Sequence, residues 1–383
     1  MGIYTEYLDK QLDWAGLTKE RKKQLLMISR RRGERPVLAF AAAMTKDAPI
    51  AIDYDDRVPI IDQLNNLVGD KIDIILETPG GHAEVVEDIV KQVRKKFSEV
   101  AMIIPGYAKS AGTIMAMAGD EILMEPASAL GPIDAQIIQA GKRFSAHAFL
   151  EGLEKIKKEV EDKRQLNRAY IPILQNISPG EIQSCENALA FSKTLVTEWL
   201  SKYKFKFWKT HSSNDQPVTE EDKRKRANEI AEILCDHGKW LTHGRSITID
   251  DFHEMRLKVT DYSEDAALCD AIRRYYTLLK MSFDTTNIFK IYETPTSQIY
   301  RFATPPGGPI PREVLDAAVI DFECPNCKTK TKIQANLKEG VPTEKDAVQF
   351  PRDNKFICPA CKSNIDLSGL RRQIESQSKK KIV

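Results

Sequence analysis

The sequence predicts an α/β core with helical additions and a small cysteine-bearing module towards its C-terminal end. Two observations predict this. From residue 72 onward, short apolar runs of strand length alternate with tight glycine-containing loops and stretches of helical period, and a Cys-x-x-Cys spacing occurs twice, at 324–327 and 358–361. Strand, loop and helix repeated in that order make a sheet flanked by helices, with loops gathered at one end.

Taken in order, residues 1–34 contain Tyr4-Thr5-Glu6-Tyr7-Leu8 and the basic run Arg30-Arg31-Arg32. They read as an N-terminal helical segment, either an assembly arm or a charged helix facing solvent. The core is assigned to 35–210. Within it, 37–44 is a strand candidate, 58–67 has helical spacing, 72–77 is a buried strand, 83–97 an amphipathic helix and 100–104 a further apolar strand. An Ala/Gly/Met-rich helix begins near Ser110, and Ile122-Leu123-Met124 is a strand leading into the loop 128–134. Ser145 is placed to cap a helix running through Phe149, Leu153 and Ile156. Pro172 and Pro179 interrupt the helical interval that follows, and 211–219 reads as an exposed connection. Residues 211–300 read as a helical accessory region, and 301–318, with Pro305, Pro306, Pro309 and Pro311 around Gly307 and Gly308, as a linker. The cysteine module is assigned to 319–372 and a basic tail to 373–383.

Composition narrows the function classes. In 383 residues, 57 basic and 55 acidic side chains leave a formal charge of +2, which gives no whole-chain argument for nucleic acid or an anionic membrane. A hydrophobic content of 42% supports a substantial core. No apolar run approaches the roughly 20 residues of a transmembrane helix, and the first residues lack the pattern of an export signal. A cytoplasmic location is the expectation. Seven cysteines, four in two close pairs, suit a reducing compartment and metal binding better than a disulfide scaffold. No glycine-rich phosphate loop ending in Lys-Ser or Lys-Thr is present, so energy-dependent unfolding of a substrate would need a partner.

Two loops carry candidate chemistry. In Thr78-Pro79-Gly80-Gly81 the glycines let the main chain approach another group, and its N–H groups can face a developing oxyanion; alone, the pattern is equally a structural turn. Ser110 lies in Gly106-Tyr107-Ala108-Lys109-Ser110-Ala111-Gly112-Thr113, at the passage from strand to helix. Such a passage can expose Oγ beside backbone donors, with small Ala111 and Gly112 leaving access. The alternative for Ser110 is a helix N-cap.

These loops, together with Gly119-Asp120-Glu121-Ile122, Leu130-Gly131-Pro132-Ile133-Asp134-Ala135-Gln136 and Trp240-Leu241-Thr242-His243-Gly244-Arg245-Ser246-Ile247, resemble the superfamily of Clp proteases, signal peptide peptidases and NfeD-type proteases, which shares the crotonase-like fold. Within it the sequence is most similar to the serine dehydrogenase proteinases, over roughly residues 35–260. The resemblance implies a Clp protease/crotonase-like core, a nucleophile at Ser110, an oxyanion turn at Gly80 and Gly81 with the Ala111 amide as a further donor, a polypeptide substrate and assembly into homo-oligomers. Clp proteases place a histidine base after the nucleophile helix, but here that neighbourhood reads Pro132-Ile133-Asp134-Ala135-Gln136. The signal peptide peptidases suggest a serine and lysine pair instead. Lys142 is the leading base, since burial would lower its pKa and supply a neutral amine. Lys155, His82 and His147 are fallbacks, Lys109 is less favoured because adjacency to Ser110 does not by itself turn its amine towards the hydroxyl, and His243 reads as a domain or subunit contact.

Cys324-Pro325-Asn326-Cys327 and Cys358-Pro359-Ala360-Cys361, separated by 30 residues, form two knuckles of the kind that bind structural zinc, and the module is similar to a zinc ribbon. Four protein thiolates leave no position for a hydrolytic water, so its role is folding and presentation. Phe322, Phe350 and Phe356 are expected to pack around it. Lys328, Lys330, Arg352 and Lys355 offer weak support for nucleic acid and read equally as a solvated face. Cys185, Cys235 and Cys269 are isolated thiols.

The favoured function is an intracellular serine endopeptidase acting through Ser110 with lysine assistance. The competing reading is a catalytically weak or inactive assembly protein that holds peptides or partners through the same fold, with the N-terminal arm or zinc ribbon as adaptor. Acyl-thioester chemistry on a crotonase-like fold is the third, and no coenzyme A site is evident.

Overall fold

Side chains alternate across a strand, so a strand buried on both faces must be apolar at successive positions. Val37–Ala42 meets this condition over its whole length and Lys71–Glu77 over Ile74-Ile75-Leu76, with Asp73 and Glu77 as buried charges. In the computed structural model, which describes residues 2–139, 142–211, 215–303, 316–378 and 380–383, they lie at the centre of a seven-stranded sheet. Side chains of residues 138, 139, 142, 143 and 376–378 also lie outside the described set. The sheet order is Gln298–Phe302, Ile288–Glu293, Val37–Ala42, Lys71–Glu77, Glu99–Ile103, Glu121–Met124, Thr260–Asp261. Pairing is parallel from Val37–Ala42 through Thr260–Asp261 and antiparallel for the two strands at the other edge.

The alternation sorts the core into two layers. Leu38, Phe40, Ile74, Leu76, Met102 and Ile122 pack with one set of helices, including Ala83–Lys96, whose Val85, Val86, Ile89, Val90 and Val93 form one buried stripe. Val37, Ala39, Ala41, Ile75, Ile103 and Leu123 face the opposite layer, made by helices Trp14–Arg31 and Ala266–Thr285. Residues before 35 therefore supply part of a core layer through Leu25 and Ile28, and are not confined to a solvent-facing arm. Helix Ala146–Lys163 starts where Ser145 accepts from Ala148 N, the expected cap.

Residues 211–300, read as a helical accessory region, also contribute Thr260–Asp261 and Ile288–Glu293 to the main sheet. The physical reason is that both charges in the latter strand are buried. Lys290 donates to Asp56 at 2.8 Å, and Glu293 accepts from Arg21 Nε at 2.9 Å and from Tyr275 Oη at 2.8 Å. A charged side chain in the sequence normally signals an exposed face, whereas these are neutralised inside.

The chain divides into two compact units, Met1–Ala303 and Thr304–Val383. Most of the expected linker falls on residues 304–315, outside the described residues. The smaller unit has a three-stranded sheet ordered Ala317–Glu323, Lys330–Asn336, Ala347–Gln349 and a hairpin of Lys355–Ile357 with Asn364–Asp366. Ile333, Ala335, Phe350, Phe356 and Leu367 form its core, and Ile374 and Ile382 are buried there as well, so the stretch read as a basic tail is partly packed.

Candidate active site and cysteine cluster

Two loops leave the C-terminal ends of neighbouring parallel strands and become paired. Thr78 N donates to Tyr107 O and Lys109 N to Thr78 O, both at 2.9 Å. The first loop continues against a third segment, with Ile52 N donating to Gly80 O at 2.7 Å and His82 N to Ile52 O at 3.0 Å. Gly80 has φ +97°, and a Cβ there would fall 2.6 Å from Lys109 O, 2.8 Å from Ser110 Cβ and 3.1 Å from Ala111 N. At Gly81, φ +156°, a Cβ would fall 2.2 Å from Ile52 O. Glycine is required at both positions because backbone occupies the space a side chain needs.

Ser110 is half-buried, with φ 52° and ψ −116°. An L-residue held there carries strain of order 1–3 kcal/mol, which surrounding structure must enforce. It occupies the N-cap position of helix Ala111–Met117, yet its side chain makes no capping hydrogen bond. Among the described residues, no side chain hydrogen-bonds to Ser110 Oγ. The backbone donors divide unequally. Gly80 N donates to Thr78 Oγ1 at 3.1 Å, whereas the N–H groups of Gly81 and Ala111 have no hydrogen-bond acceptor among the described residues.

Lys109 points away along the loop. Its ammonium donates to Leu130 O at 3.0 Å, Arg245 O at 3.2 Å and Ser246 Oγ at 3.1 Å, and burial pushes its pKa down to about 8. This lysine ties the Trp240-to-Ile247 segment to the Ser110 loop, and the Leu130 to Ile247 bridge reinforces the tie. Glu77 closes the strand behind the turn. Its buried carboxyl accepts from Tyr107 N at 2.7 Å and from Tyr276 Oη at 3.1 Å, and burial pushes its pKa up to about 7.

The candidate bases belong to different elements. Lys142 begins the strand Lys142–Ser145, and its side chain lies outside the described residues. Lys155 is exposed and paired one turn away with Glu151 at 2.8 Å. His82 is exposed, its ring centroid 6.0 Å from that of Tyr54. His147 is half-buried, 5.8 Å from the ring of His237.

Sequence reasoning missed what surrounds Asp134. This buried carboxylate accepts from Ser145 Oγ at 2.6 Å and from Gln136 Nε2 at 2.7 Å. Its Oδ2 is 3.4 Å from His237 Nδ1 and 3.8 Å from His243 Nδ1. Asp134 belongs to a quoted motif, but His237 lies about a hundred residues further on in a segment with no local signature, so no spacing rule joins them.

In the smaller unit, the Sγ atoms of Cys324, Cys327, Cys358 and Cys361 all lie within 4.8 Å of one another. Cys324 to Cys361 is 3.7 Å and Cys327 to Cys358 is 3.6 Å. Tetrahedral zinc with sulfur at about 2.3 Å requires sulfurs about 3.8 Å apart, so donor type and separations both fit that ion. The Ser363 hydroxyl, 2.6 Å from Cys361 Sγ, helps hold that thiol at about 6, which favours the ligating thiolate.

Residues 11–189 match the family model described as ClpP-like SDH-type serine proteinase. Two uncharacterized proteins of Methanocaldococcus jannaschii are similar. One is 28% identical over 209 residues, covering 54% of this chain and 60% of its own; the other is 29% identical over 210 residues, covering 55% and 56%. The chain thus spans less than two thirds of either relative. Among solved structures, a serine-to-alanine mutant of the 1510-N membrane-bound stomatin-specific protease aligns with 20% identity, covering 57% of this chain and 79% of that one, at a TM-score of 0.31. A lysine-to-alanine mutant of that protease in complex with a substrate peptide aligns with 18% identity, covering 51% and 78%, at a TM-score of 0.24. No helix among the described residues is long and apolar enough to cross a membrane.

Proposed function

We propose, from the premise that residues 11–189 belong to the ClpP-like SDH-type serine proteinase family, that this protein is a serine endopeptidase whose nucleophile is Ser110. The observation that carries the reading is Ser110 itself. Its backbone is held in the left-handed region, its hydroxyl is not spent on capping, and it sits against the Gly80-Gly81 turn. Ser110 Oγ attacks the peptide carbonyl carbon while a base takes its proton. The N–H groups of Gly81 and Ala111 receive the oxyanion, and Gly80 gives the turn its shape, since its own N–H is held by Thr78. As the carbon–nitrogen bond breaks, the protonated base returns its proton to the leaving amine. Water then gives a proton to the base and attacks the acyl ester, and Ser110 Oγ recovers the proton on release.

Lys142 is the first choice of base, being at the start of the strand that leads into the helix capped by Ser145. The cluster about Asp134 favours a second reading. A carboxylate beside an imidazole nitrogen orients and supports a histidine base, and Lys109 straps the His243 segment to the nucleophile loop. A polypeptide substrate and assembly with copies of the same chain belong to this proposal. The four cysteines would hold a structural zinc, with no part in the hydrolytic step. Four cysteines placed as metal ligands, with Cys185, Cys235 and Cys269 as free thiols, would fit a reducing, intracellular setting.

A serine-reactive fluorophosphonate followed by peptide mapping tests the nucleophile. Labelling at Ser110, absent from Ser110→Ala, is expected. Absence of labelling across pH and assembly states would favour the peptide-holding alternative. Comparing Lys142→Ala with His237→Ala and His243→Ala then assigns the base, because only removal of the true base should abolish the alkaline rise in labelling rate.

A further inference from the structure

The parallel strands begin at the end of the sheet opposite Ser110, and a cavity opens there. It has a volume of about 860 Å³ and is lined by residues at strand starts, Glu99, Glu121 and Thr260, together with residues from 204 to 211 and from 226 to 258. That volume lies within the range of about 300–1,000 Å³ usual for small-molecule sites.

The charges lining this cavity are unevenly satisfied. Its carboxylates are already engaged: Glu99 by Lys71 at 2.9 Å, Asp120 by Arg94 at 2.6 Å, Glu121 by Arg32 at 2.5 Å and Glu229 by Arg226 at 2.7 Å. Arg35 is held by Asp73 at 2.9 Å. Lys204, Arg256 and Lys258 are different, for none of them makes an ion pair with a described residue. The Lys204 ammonium donates to the backbone Asp120 O at 3.5 Å. Burial pushes Lys204 down to about 8 and Lys258 adds to this by repulsion, with Glu121 and Asp120 opposing in part. A half-buried cation that no carboxylate contacts is costly, and a second cation beside it adds to that cost. An anion in the cavity would relieve both.

The wall beside these cations is aromatic. Trp208 is half-buried, with Phe205 edge-on at 5.7 Å and His211 edge-on at 5.1 Å. Lys204 itself ends the π-helical turn Leu200–Lys204 that continues helix Pro179–Trp199. Such turns recur at functional sites because they displace a side chain from the regular helical register. Inorganic phosphate would neutralise the cations but leave most of the cavity and the aromatic wall unused.

We infer that this cavity binds a nucleoside di- or triphosphate, with its phosphates against Lys204, Arg256 and Lys258 and its base against Phe205 and Trp208. Lysine and arginine supply point and forked donors for phosphate oxygens, and an aromatic face accepts any base by stacking. The inference is independent of Ser110, and its failure would leave the peptidase reading untouched.

Isothermal titration of the full-length protein with ADP, pyrophosphate and adenosine tests it. ADP is expected to bind more tightly than either fragment, and Arg256→Ala/Lys258→Ala is expected to weaken it by about tenfold or more, since charge-assisted contacts to phosphate are lost. Both substituted side chains are exposed, so an unchanged melting temperature confirms that the variant is folded. Lys204→Met should weaken ADP as well, and Trp208→Leu should weaken ADP without affecting pyrophosphate. Absence of ADP binding overturns the proposal, as does a double variant that binds within about twofold of the parent. Equal affinity for pyrophosphate and ADP also overturns it, since the aromatic wall would then recognise nothing.

Discussion

Glu77 makes the candidate active site sensitive to pH in a way that can be worked out from the structure. Its carboxyl is completely buried behind the Thr78-to-Gly81 turn and is pushed from an ordinary value of 4.5 to about 7 by burial, with the Tyr107 N–H and Tyr276 hydroxyl only partly compensating. A raised value means that the folded protein favours the neutral acid. The associated stability is fully present below pH 4.5, where the unfolded chain is also protonated, and is lost as the pH rises through about 7. The gap corresponds to about 3 kcal/mol, accumulated at about 1.4 kcal/mol per pH unit. Glu77→Gln keeps an acceptor for Tyr107 N and a polar neighbour for Tyr276, and removes the titration. The four tryptophans, Trp14, Trp199, Trp208 and Trp240, all lie in the Met1–Ala303 unit, so urea unfolding followed by their fluorescence reads that unit alone. Parent and variant curves should diverge in favour of Gln up to about pH 7 and run parallel above about pH 8. Parallel curves over the whole range would show that Glu77 is ionised at no cost, and the account of the buried carboxyl would be wrong.

Three further substitutions probe different parts of the molecule. Gly80→Ala forces a Cβ to within 3 Å of Lys109 O and Ser110 Cβ, and the displaced nucleophile should lower the fluorophosphonate labelling rate by about 100-fold; a rate near that of the parent would deny that the turn positions Ser110. Arg21→Met leaves Glu293 buried without its cation and should cost about 3–5 kcal/mol by the same urea assay, part of which Arg21→Met/Glu293→Gln should restore. Cys324→Ser should lower bound zinc from one ion per chain and destabilise the Thr304–Val383 unit, measured by metal analysis and limited proteolysis; tryptophan-monitored unfolding should not change.

The central strands were legible in the sequence because burial on both faces makes Val37–Ala42 a continuous apolar run and leaves Ile74-Ile75-Leu76 apolar within Lys71–Glu77, and the glycine loops because only glycine tolerates what Gly80 and Gly81 do. Ile288–Glu293 was not, since Lys290 and Glu293 look like surface residues until Asp56 and Arg21, more than two hundred residues away, are brought against them. The same distance in sequence hid His237 from Asp134. Residue identity also says nothing about which backbone groups are already engaged. Gly80 and Gly81 are alike in sequence, yet Thr78 Oγ1 takes the N–H of the first and leaves that of the second.

Ser110 shows how sequence and structure divide the work. A serine between a strand and a helix is, on sequence grounds, equally a cap, and a capping serine would adopt an extended backbone and accept from the first turn, as Ser145 and Ser178 do. Ser110 does neither. It takes a left-handed backbone that costs free energy and leaves its hydroxyl without a bond to the helix it precedes. The cap hypothesis explains neither feature, whereas the proposed role as nucleophile accords with both: the turn sets Ser110 Cβ against Gly80, 2.8 Å from where a Cβ would fall there, and an uncommitted hydroxyl can be deprotonated without first breaking a structural bond. The strain can persist because Thr78, Lys109 and Thr113 hold the loop from three sides, Thr113 Oγ1 lying 2.8 Å from Gly131 O. Loosening any of these ties should therefore relax Ser110 towards an ordinary cap and lower its reactivity before it lowers the stability of the fold.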